Sequence, residues 1–251
     1  MQQAPSYVNA SYLDYVCRLH KSLYGLKQAP RACFKRFTSH FLYLGFTASI
    51  VDRSLFVIHT PHVLLYLLLY VDDIIIKSPN PHHIAPLVTV LGHTFELKDL
   101  GPLNSFLGIQ ITPTSIGIAL NQSKYALDLL HKFDMDNVKP IKTLCYPSIK
   151  LISIFGHLLS DPSSYCNMIE GLQYLAFTRP DLSYAIHQLC QFTQFPTDQH
   201  LVVAKRVLQY VRGTLITSIQ FNPGQLTLSA FIDADWARDP SDCWSTTRYL
   251  V

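Results

Sequence analysis

Two adjacent carboxylates, Asp72 and Asp73, close the most apolar stretch of this sequence. They follow the nine residues VLLYLLLYV at positions 63–71, and three isoleucines come directly after them. An ionised carboxylate inside so apolar a stretch costs several kcal/mol unless a positive charge lies beside it. The nearest positive charge in the sequence is Lys77. The pattern therefore predicts a hairpin that carries both acids at its tip, outside the sheet core, and presents them to a divalent cation.

The composition indicates a folded chain, part of whose surface contacts a partner. Hydrophobic residues make up 49% of the 251, enough for a core, whereas charged residues make up only 15%. That is well below the usual quarter, and we interpret it as a surface that contacts a partner or a further chain. No apolar run reaches the length of a membrane span, and the first residues, MQQAPS, lack the pattern of a signal peptide. We therefore expect no membrane partner and an intracellular location, cytoplasmic or nuclear.

Positive charge is concentrated near the N-terminus. Residues 1–60 carry seven Lys or Arg against two Asp, and most of the basic residues lie between positions 18 and 36. Tyr24, Phe34 and Phe37 alternate with them, a pattern typical of nucleic-acid-binding surfaces. An ordinary solvated helix face explains the same pattern equally well.

Hydrophobic periodicity predicts a chain of mixed α and β elements with neighbouring strands in its first half. In chain order these are a helix at 32–44, strands at 54–59 and 63–70, a short helix at 83–91, a hairpin of 107–112 with 116–120, and a helix at 124–133. A linker rich in Pro and Ser is predicted at 140–164. It is followed by helices at 165–177, 181–195 and 198–212 and a strand at 226–236. The predicted fold class is α+β.

Six motifs resemble, in the same order, the polymerase polyprotein of Ty1/copia-type LTR retrotransposons. They are CRLHKSLYGLKQAPR at 17–31, YVDD at 70–73, KDLGP at 98–102 with FLGI at 106–109, QSKY at 122–125, LQYLAFTRPD at 172–181 and DADWA at 233–237. The resemblance implies a partial reverse transcriptase palm at 1–139, an antiparallel sheet with helices. A linker and helical thumb or connection region at 140–225 would follow, and then the start of an RNase H-like domain at 226–251.

The resemblance implies that Asp72 and Asp73 are catalytic and bind Mg²⁺ or Mn²⁺, with Asp72 as the first ligand and Asp73 as the second. In such a palm, two metal ions activate the primer 3′-hydroxyl and neutralise the leaving pyrophosphate. The partners in the parent family are an RNA/DNA primer–template and dNTPs. Because side chains alternate along a strand, both acids can serve one site only if the turn bends the backbone. The alternative is a surface turn with two solvated acids.

Further residues take roles from the same resemblance. Contacts to the nucleotide or template are implied for Lys27, Gln28, Arg31, Tyr70 and Lys98, and contacts to the primer for Leu107 and Gly108. Gly108 would allow a close approach of the backbone. There are alternatives for two parts of this region. Packing alone explains the turn at 24–25 equally well, and Lys98 is equally well explained as an ordinary solvated lysine.

Asp233 is the implied metal ligand of an RNase H remnant. It opens DADWA on a predicted strand, with Asp235 on the same face. Without the further acids of an RNase H domain, we expect no chemistry from this strand.

The resemblance also implies a third metal-binding aspartate upstream of 17–31, and no acid in that motif's setting precedes Cys17. Cys33, Glu170 and Arg248 depart from the family pattern, and the last two replace glycines. We therefore expect a truncated reverse transcriptase fragment that holds its metals weakly and polymerises little or not at all. The alternatives are a non-catalytic nucleic-acid-binding remnant and a gene product that does not fold. The oligomeric state is not predicted.

Overall fold

The computed structural model describes residues 3, 5–16, 18, 23, 25–144, 156–225, 227–234, 245 and 247–250. Its contacts divide the chain into two compact units, Met1–Gly101 and Pro102–Val251. Each unit has a hydrophobic core of its own.

In the first unit, the described residues form a four-stranded antiparallel sheet and two α-helices. Its elements are α1 (Ala29–Tyr43), β1 (Thr47–Ala48), β2 (Leu55–His59), β3 (Leu64–Tyr70), β4 (Asp73–Lys77) and α2 (Ile84–Thr94). The strand order is β1-β2-β3-β4, so β4 lies at an edge. The hairpin register pairs Tyr70 with Asp73 and Leu69 with Ile74.

Both helices contribute to the core that covers one face of this sheet. Phe41 of α1 and Leu91 of α2 are buried with Phe56 and Leu67 of the sheet. Residues of the opposite face, such as Tyr66, stay partly exposed. The alternation of side chains along β3 explains this difference, because neighbouring residues point to opposite faces.

The described residues of the second unit include six strands and four α-helices. They are β5 (Ser105–Phe106), β6 (Ile109–Thr114), β7 (Gly117–Asn121), α3 (Ser123–Lys132), α4 (Ser163–Leu175), α5 (Ser183–Cys190), α6 (Asp198–Gly213), β8 (Ile219–Phe221), β9 (Phe231–Ala234) and β10 (Thr247–Leu250). Strands β5-β6-β7-β8 form an antiparallel sheet, and β9 pairs with β10 in a separate two-stranded sheet.

The core of the second unit is built by α3, α4, α5 and α6. Each helix contributes fully buried or nearly buried residues, such as Leu130, Leu172, Leu189 and Val207. Helix α6 begins with a capping box in which Thr197 and His200 exchange backbone and side-chain hydrogen bonds. Such a cap satisfies N–H groups that a helix start otherwise leaves unpaired.

The predicted α+β class and all six predicted helices are confirmed, with shifts at their ends. The segment 181–195 is helical only in part, because a 3-10 turn at Pro180–Leu182 precedes α5 and α5 ends at Cys190. Residues 107–108 were predicted to begin a strand and instead form a turn between β5 and β6. Residues 145–155 of the predicted linker, and 226 and 235–236 of the predicted last strand, lie outside the described residues.

The division between the two compact units falls between Gly101 and Pro102. Helix α3 belongs to the second unit, because its buried residues Ala126, Leu129 and Leu130 are part of the core of α4–α6. The assignment of the segments to palm, connection and RNase H-like regions stays a prediction.

Glu170 does not carry the strain that a lost glycine would cause. It lies inside α4 and is exposed, and its φ is not among the positive values of the described chain. Any L-residue can adopt helical φ and ψ angles without a steric penalty.

Candidate functional site

The turn between β3 and β4 has an uncommon backbone. Val71 and Asp72 form its two-residue loop, and Val71 has a φ of 48°. A positive φ at the first central residue, and not at the second, is the sign pattern of a type II′ turn, which normally carries glycine there. For a β-branched residue this φ costs on the order of 1–2 kcal/mol. The sequence predicted the turn and gave no sign of this strain.

The two carboxylates of this turn are exposed. Asp72 sits in the loop, and Asp73 is the first residue of β4. The register places Asp73 and Tyr70 on the sheet face opposite Ile74, whose side chain packs against the helix-covered core. Within the part of the chain that the structure describes, neither carboxylate has a hydrogen-bond or ion-pair partner. The turn thus keeps both acids hydrated despite their apolar flanks.

The turn offers part of a metal site. Carboxylate oxygens are the hard donors that Mg²⁺ prefers. In the described ranges no group of three or more His, Cys, Asp or Glu side chains is close enough to hold a metal ion. Asp72 and Asp73 therefore fit as two members of a ligand set and do not complete it.

Lys27, Gln28 and Arg31 lie together at the start of α1. Gln28 is the N-cap residue, and its carbonyl accepts a hydrogen bond from Ala32 N at 3.1 Å. Its side chain makes no capping bond and is exposed, so the amide is available to a ligand.

A basic stripe of Lys27, Arg31 and Lys35 lies at the start of this helix, and all three residues are exposed. Arg31 and Lys35 are four residues apart within α1, which places them on one side of the helix, whereas Lys27 lies in the turn before the N-cap. The neighbouring Arg36 differs, because its guanidinium lies 5.5 Å from the centre of the Phe95 ring.

Lys98 lies in the loop between α2 and β5 and is exposed. The loop is held by the Asp99 side chain, which accepts a hydrogen bond from Gly101 N at 2.8 Å. No bond within the described ranges joins Lys98 to Asp72 or Asp73.

Leu107 and Gly108 form the two-residue turn between β5 and β6 in the second unit. Their φ values are 48° and 72°, and two positive values are the sign pattern of a type I′ turn. A Cβ added to Gly108 would meet Tyr174 only at 3.8 Å, so positive φ rather than space favours glycine there. The Leu107 carbonyl accepts a hydrogen bond from the Tyr174 hydroxyl, a contact that sequence reasoning missed.

Asp233 is exposed on β9, where its partner in the register is Arg248 of β10. Its predicted neighbour Asp235 lies outside the described residues. Asp233 belongs to the second unit, and Asp72 and Asp73 belong to the first.

Arg179, which the sequence marked only as part of a motif, is the centre of a buried polar cluster. It is 3% exposed and donates to both carboxylate oxygens of Asp181 at 2.9 and 2.8 Å. It also donates to the carbonyl and hydroxyl of Thr214, at 2.9 and 2.8 Å. The hydrogen bonds from Arg179 lower the pKa of Asp181. The cluster ties the start of α5 to the end of α6, which gives the TRPD sequence a structural role.

Among the described residues, no helix combines the length and the apolar character that crossing a membrane requires.

Comparison with known proteins gives a consistent result. The family described as "Reverse transcriptase (RNA-dependent DNA polymerase)" matches residues 1–147. The "Retrovirus-related Pol polyprotein from transposon RE1" of Arabidopsis thaliana is 43% identical over 252 residues, covering 100% of this chain and 17% of the relative. The corresponding polyprotein from transposon TNT 1-94 of Nicotiana tabacum is 33% identical, covering 100% of this chain and 20% of the relative.

A shorter relative is similar over most of its own length. An uncharacterised mitochondrial protein of Arabidopsis thaliana is 40% identical over 189 residues, 74% of this chain and 78% of that protein. No solved structure matches the chain. The family match over more than half of the chain and the polyprotein matches over its whole length agree with the order of the six motifs. The chain therefore belongs to the reverse transcriptase (RNA-dependent DNA polymerase) family, as a Ty1/copia-type region of a retrotransposon Pol polyprotein.

Proposed function

We propose that Asp72 and Asp73 are metal-binding carboxylates of an RNA-directed DNA polymerase site. The observation that carries this proposal is the turn at Val71 and Asp72, which exposes two adjacent carboxylates without a protein partner among the described residues. When bound, Mg²⁺ or Mn²⁺ would activate a primer 3′-hydroxyl and neutralise the leaving pyrophosphate. The substrates would be an RNA/DNA primer–template and dNTPs.

The chain's own residues would bind and orient these substrates. Lys27 and Arg31 would bind phosphate oxygens, while the Gln28 amide would donate to and accept from the nucleotide or template. Tyr70 shares a sheet face with Asp73 and would lie beside the nucleotide. Lys98 would neutralise charge on the pyrophosphate.

In the second unit, the turn of Leu107 and Gly108 would contact the primer strand. Asp233 would be the remnant of an RNase H metal ligand. Both assignments rest on the motifs FLGI and DADWA and on the exposure of these residues.

We further propose that these 251 residues polymerise weakly by themselves. Among the described residues, no third His, Cys, Asp or Glu side chain joins Asp72 and Asp73, which leaves a two-metal site short of ligands.

Metal binding tests the site directly. Mn²⁺ titration followed by electron paramagnetic resonance is expected to show weak binding that is lost in Asp72→Asn and reduced in Asp73→Asn. Asp128→Asn removes an exposed carboxylate from α3 and should leave the binding unchanged. Equal binding in all four proteins would contradict the assignment. Primer extension on an RNA template that Asp72→Asn abolishes would support the site and refute the proposed weakness of the isolated chain.

A second candidate function is nucleic-acid binding without catalysis, and the basic stripe of Lys27, Arg31 and Lys35 favours it. Phosphate contacts release counterions, so the affinity should fall as the salt concentration rises. Loss of one contact should reduce the slope of log K against log salt by about 0.9 for a duplex.

The prediction is that Arg31→Ala weakens the binding of a primer–template and reduces this slope. Arg53→Ala is the matched control, because it removes an exposed arginine of the same unit outside the stripe. Fluorescence anisotropy at several salt concentrations measures both quantities. A slope that Arg31→Ala and Arg53→Ala change equally would count against the stripe as the binding surface.

A further inference from the structure

Tyr174 links the turn of Leu107 and Gly108 to the helical core of the second unit. Its hydroxyl donates to the Leu107 carbonyl, 67 residues away in the sequence. A two-residue hairpin pairs only the residues that flank its turn, here Phe106 and Ile109. The Leu107 carbonyl is outside this ladder, and the Tyr174 hydroxyl supplies its partner.

The Tyr174 ring is itself fixed by two aromatic neighbours. It packs edge to face against Tyr125 at 4.9 Å and against Phe177 at 5.8 Å. Half-buried Tyr174 therefore has little freedom, and its hydroxyl lies at a defined position on α4.

We infer that Tyr174 is a positioning residue for the primer contact of this region. Strands β5 and β6 pair through only two residue pairs, so the ladder alone holds the turn weakly. The tyrosine hydroxyl fixes the orientation of Leu107 and Gly108 against the rigid α3–α4 pair. A backbone turn held in this way can contact a strand end without first losing conformational freedom, which favours binding. The inference rests on the proposed function, in which this turn contacts the primer.

The test compares two phenylalanine variants of the full chain. Tyr174→Phe removes the tether and keeps the ring, whereas Tyr125→Phe removes a hydroxyl from the same aromatic cluster without touching the turn. Hydrogen exchange of peptides covering 103–112 reports the order of the turn. Fluorescence anisotropy reports the affinity for a primer–template and, separately, for the template strand alone.

We expect Tyr174→Phe to accelerate amide exchange in 103–112 about fivefold, the effect of one lost hydrogen bond. Its affinity for the primer–template should fall by a similar factor, while its affinity for the template alone should not change. Tyr125→Phe should match the unmodified protein in all three measurements. A merely structural role of Tyr174 would change both affinities together or neither of them.

Unchanged exchange in Tyr174→Phe would overturn the inference. Faster exchange with an unchanged affinity for a primer–template would also overturn it, because the turn would then have no part in binding. If the unmodified chain binds neither nucleic acid, the proposed function fails. The exchange rates alone then decide whether Tyr174 positions the turn.

Discussion

A guanidinium group with almost no access to water needs a partner for each of its polar edges. Arg179 meets this requirement with Asp181 on one side and Thr214 on the other, and its planar group lies 5.7 Å from the centre of the Tyr210 ring. Removing one partner of such a group leaves a charge without compensation, which costs more than the hydrogen bond alone. We therefore expect the stability of the fold to fall when Arg179 or Asp181 is replaced by a side chain of similar size without a charge.

At the residue scale, Asp181→Asn is predicted to lower the free energy of unfolding of the helical core by about 1–2 kcal/mol at pH 7. The folded-state pKa of Asp181 is depressed by Arg179. Its contribution is therefore fully present above the ordinary pKa of 3.8 and is lost as the pH falls through the depressed value. Hydrogen exchange of α5 and α6 amides measures the effect against pH.

The control for this variant is Asp128→Asn, whose carboxylate is exposed and has no ion-pair partner among the described residues. It should unfold like the unmodified protein at every pH. The free energy of unfolding of Asp181→Asn could differ from that of the unmodified protein by an amount that stays constant below pH 3.8. That result would show that the charge of Asp181 does not cause the loss of stability.

Single residues also mark the limit of sequence reasoning. The apolar run and the acid pair predicted the turn, yet the positive φ of Val71 runs against the preference of a β-branched residue. Tyr174 and Arg179 belong to the motif at 172–181, and the sequence predicted no individual role for either of them. Their contacts reach 67 and 35 residues along the chain, and no local pattern encodes such distances.

At the element scale, the approach of α3 to α4 depends on Gly171. A Cβ at this position would lie 2.4 Å from Leu129 Cδ1, and Leu129 is buried in the same core. We predict that Gly171→Ala lowers the free energy of unfolding of the second unit by about 1–3 kcal/mol, since the packed leucine must move. Hydrogen exchange of the slowest α3 and α4 amides measures this change.

Gly92→Ala is the matched control for that prediction. Gly92 also lies inside a helix, α2, and has no atom within 4 Å of an added Cβ. The alanine should therefore stabilise its helix by about 0.5–1 kcal/mol. Two variants that shift stability in the same direction would refute the steric explanation.

Elements with a clear hydrophobic periodicity could be predicted from the sequence, whereas very short elements could not. The helices α1, α3 and α6 carry apolar stripes at helical spacing, and the long strands β2 and β3 are dense in Leu, Ile, Val and Phe. The two-residue strands β1 and β5 have no period to detect. β8 is a strand only because Phe221 pairs with Ile118, about a hundred residues earlier.

At the scale of the whole molecule, an amphipathic pattern predicts that an element packs against a core. It does not predict which other elements form that core. The stripe of α3 predicted a helix, but its burial with α4–α6 placed it in the second unit. The residues of the candidate site likewise divide into those that local sequence predicts and those that only tertiary contacts reveal. Asp72 and Asp73 were predicted from local sequence, whereas the tether of Leu107 and the buried Arg179 cluster required the tertiary structure.

The position of β4 has a practical consequence for anyone who produces this chain. Its outer edge has no partner strand among the described residues, and its centre is Ile74, Ile75 and Ile76. An apolar edge strand without a partner strand is a template on which further molecules can add strands, and Lys77 is the only basic residue within β4 to oppose this. We therefore expect self-association that grows with protein concentration, a property that bears on expression, storage and the choice of assay conditions.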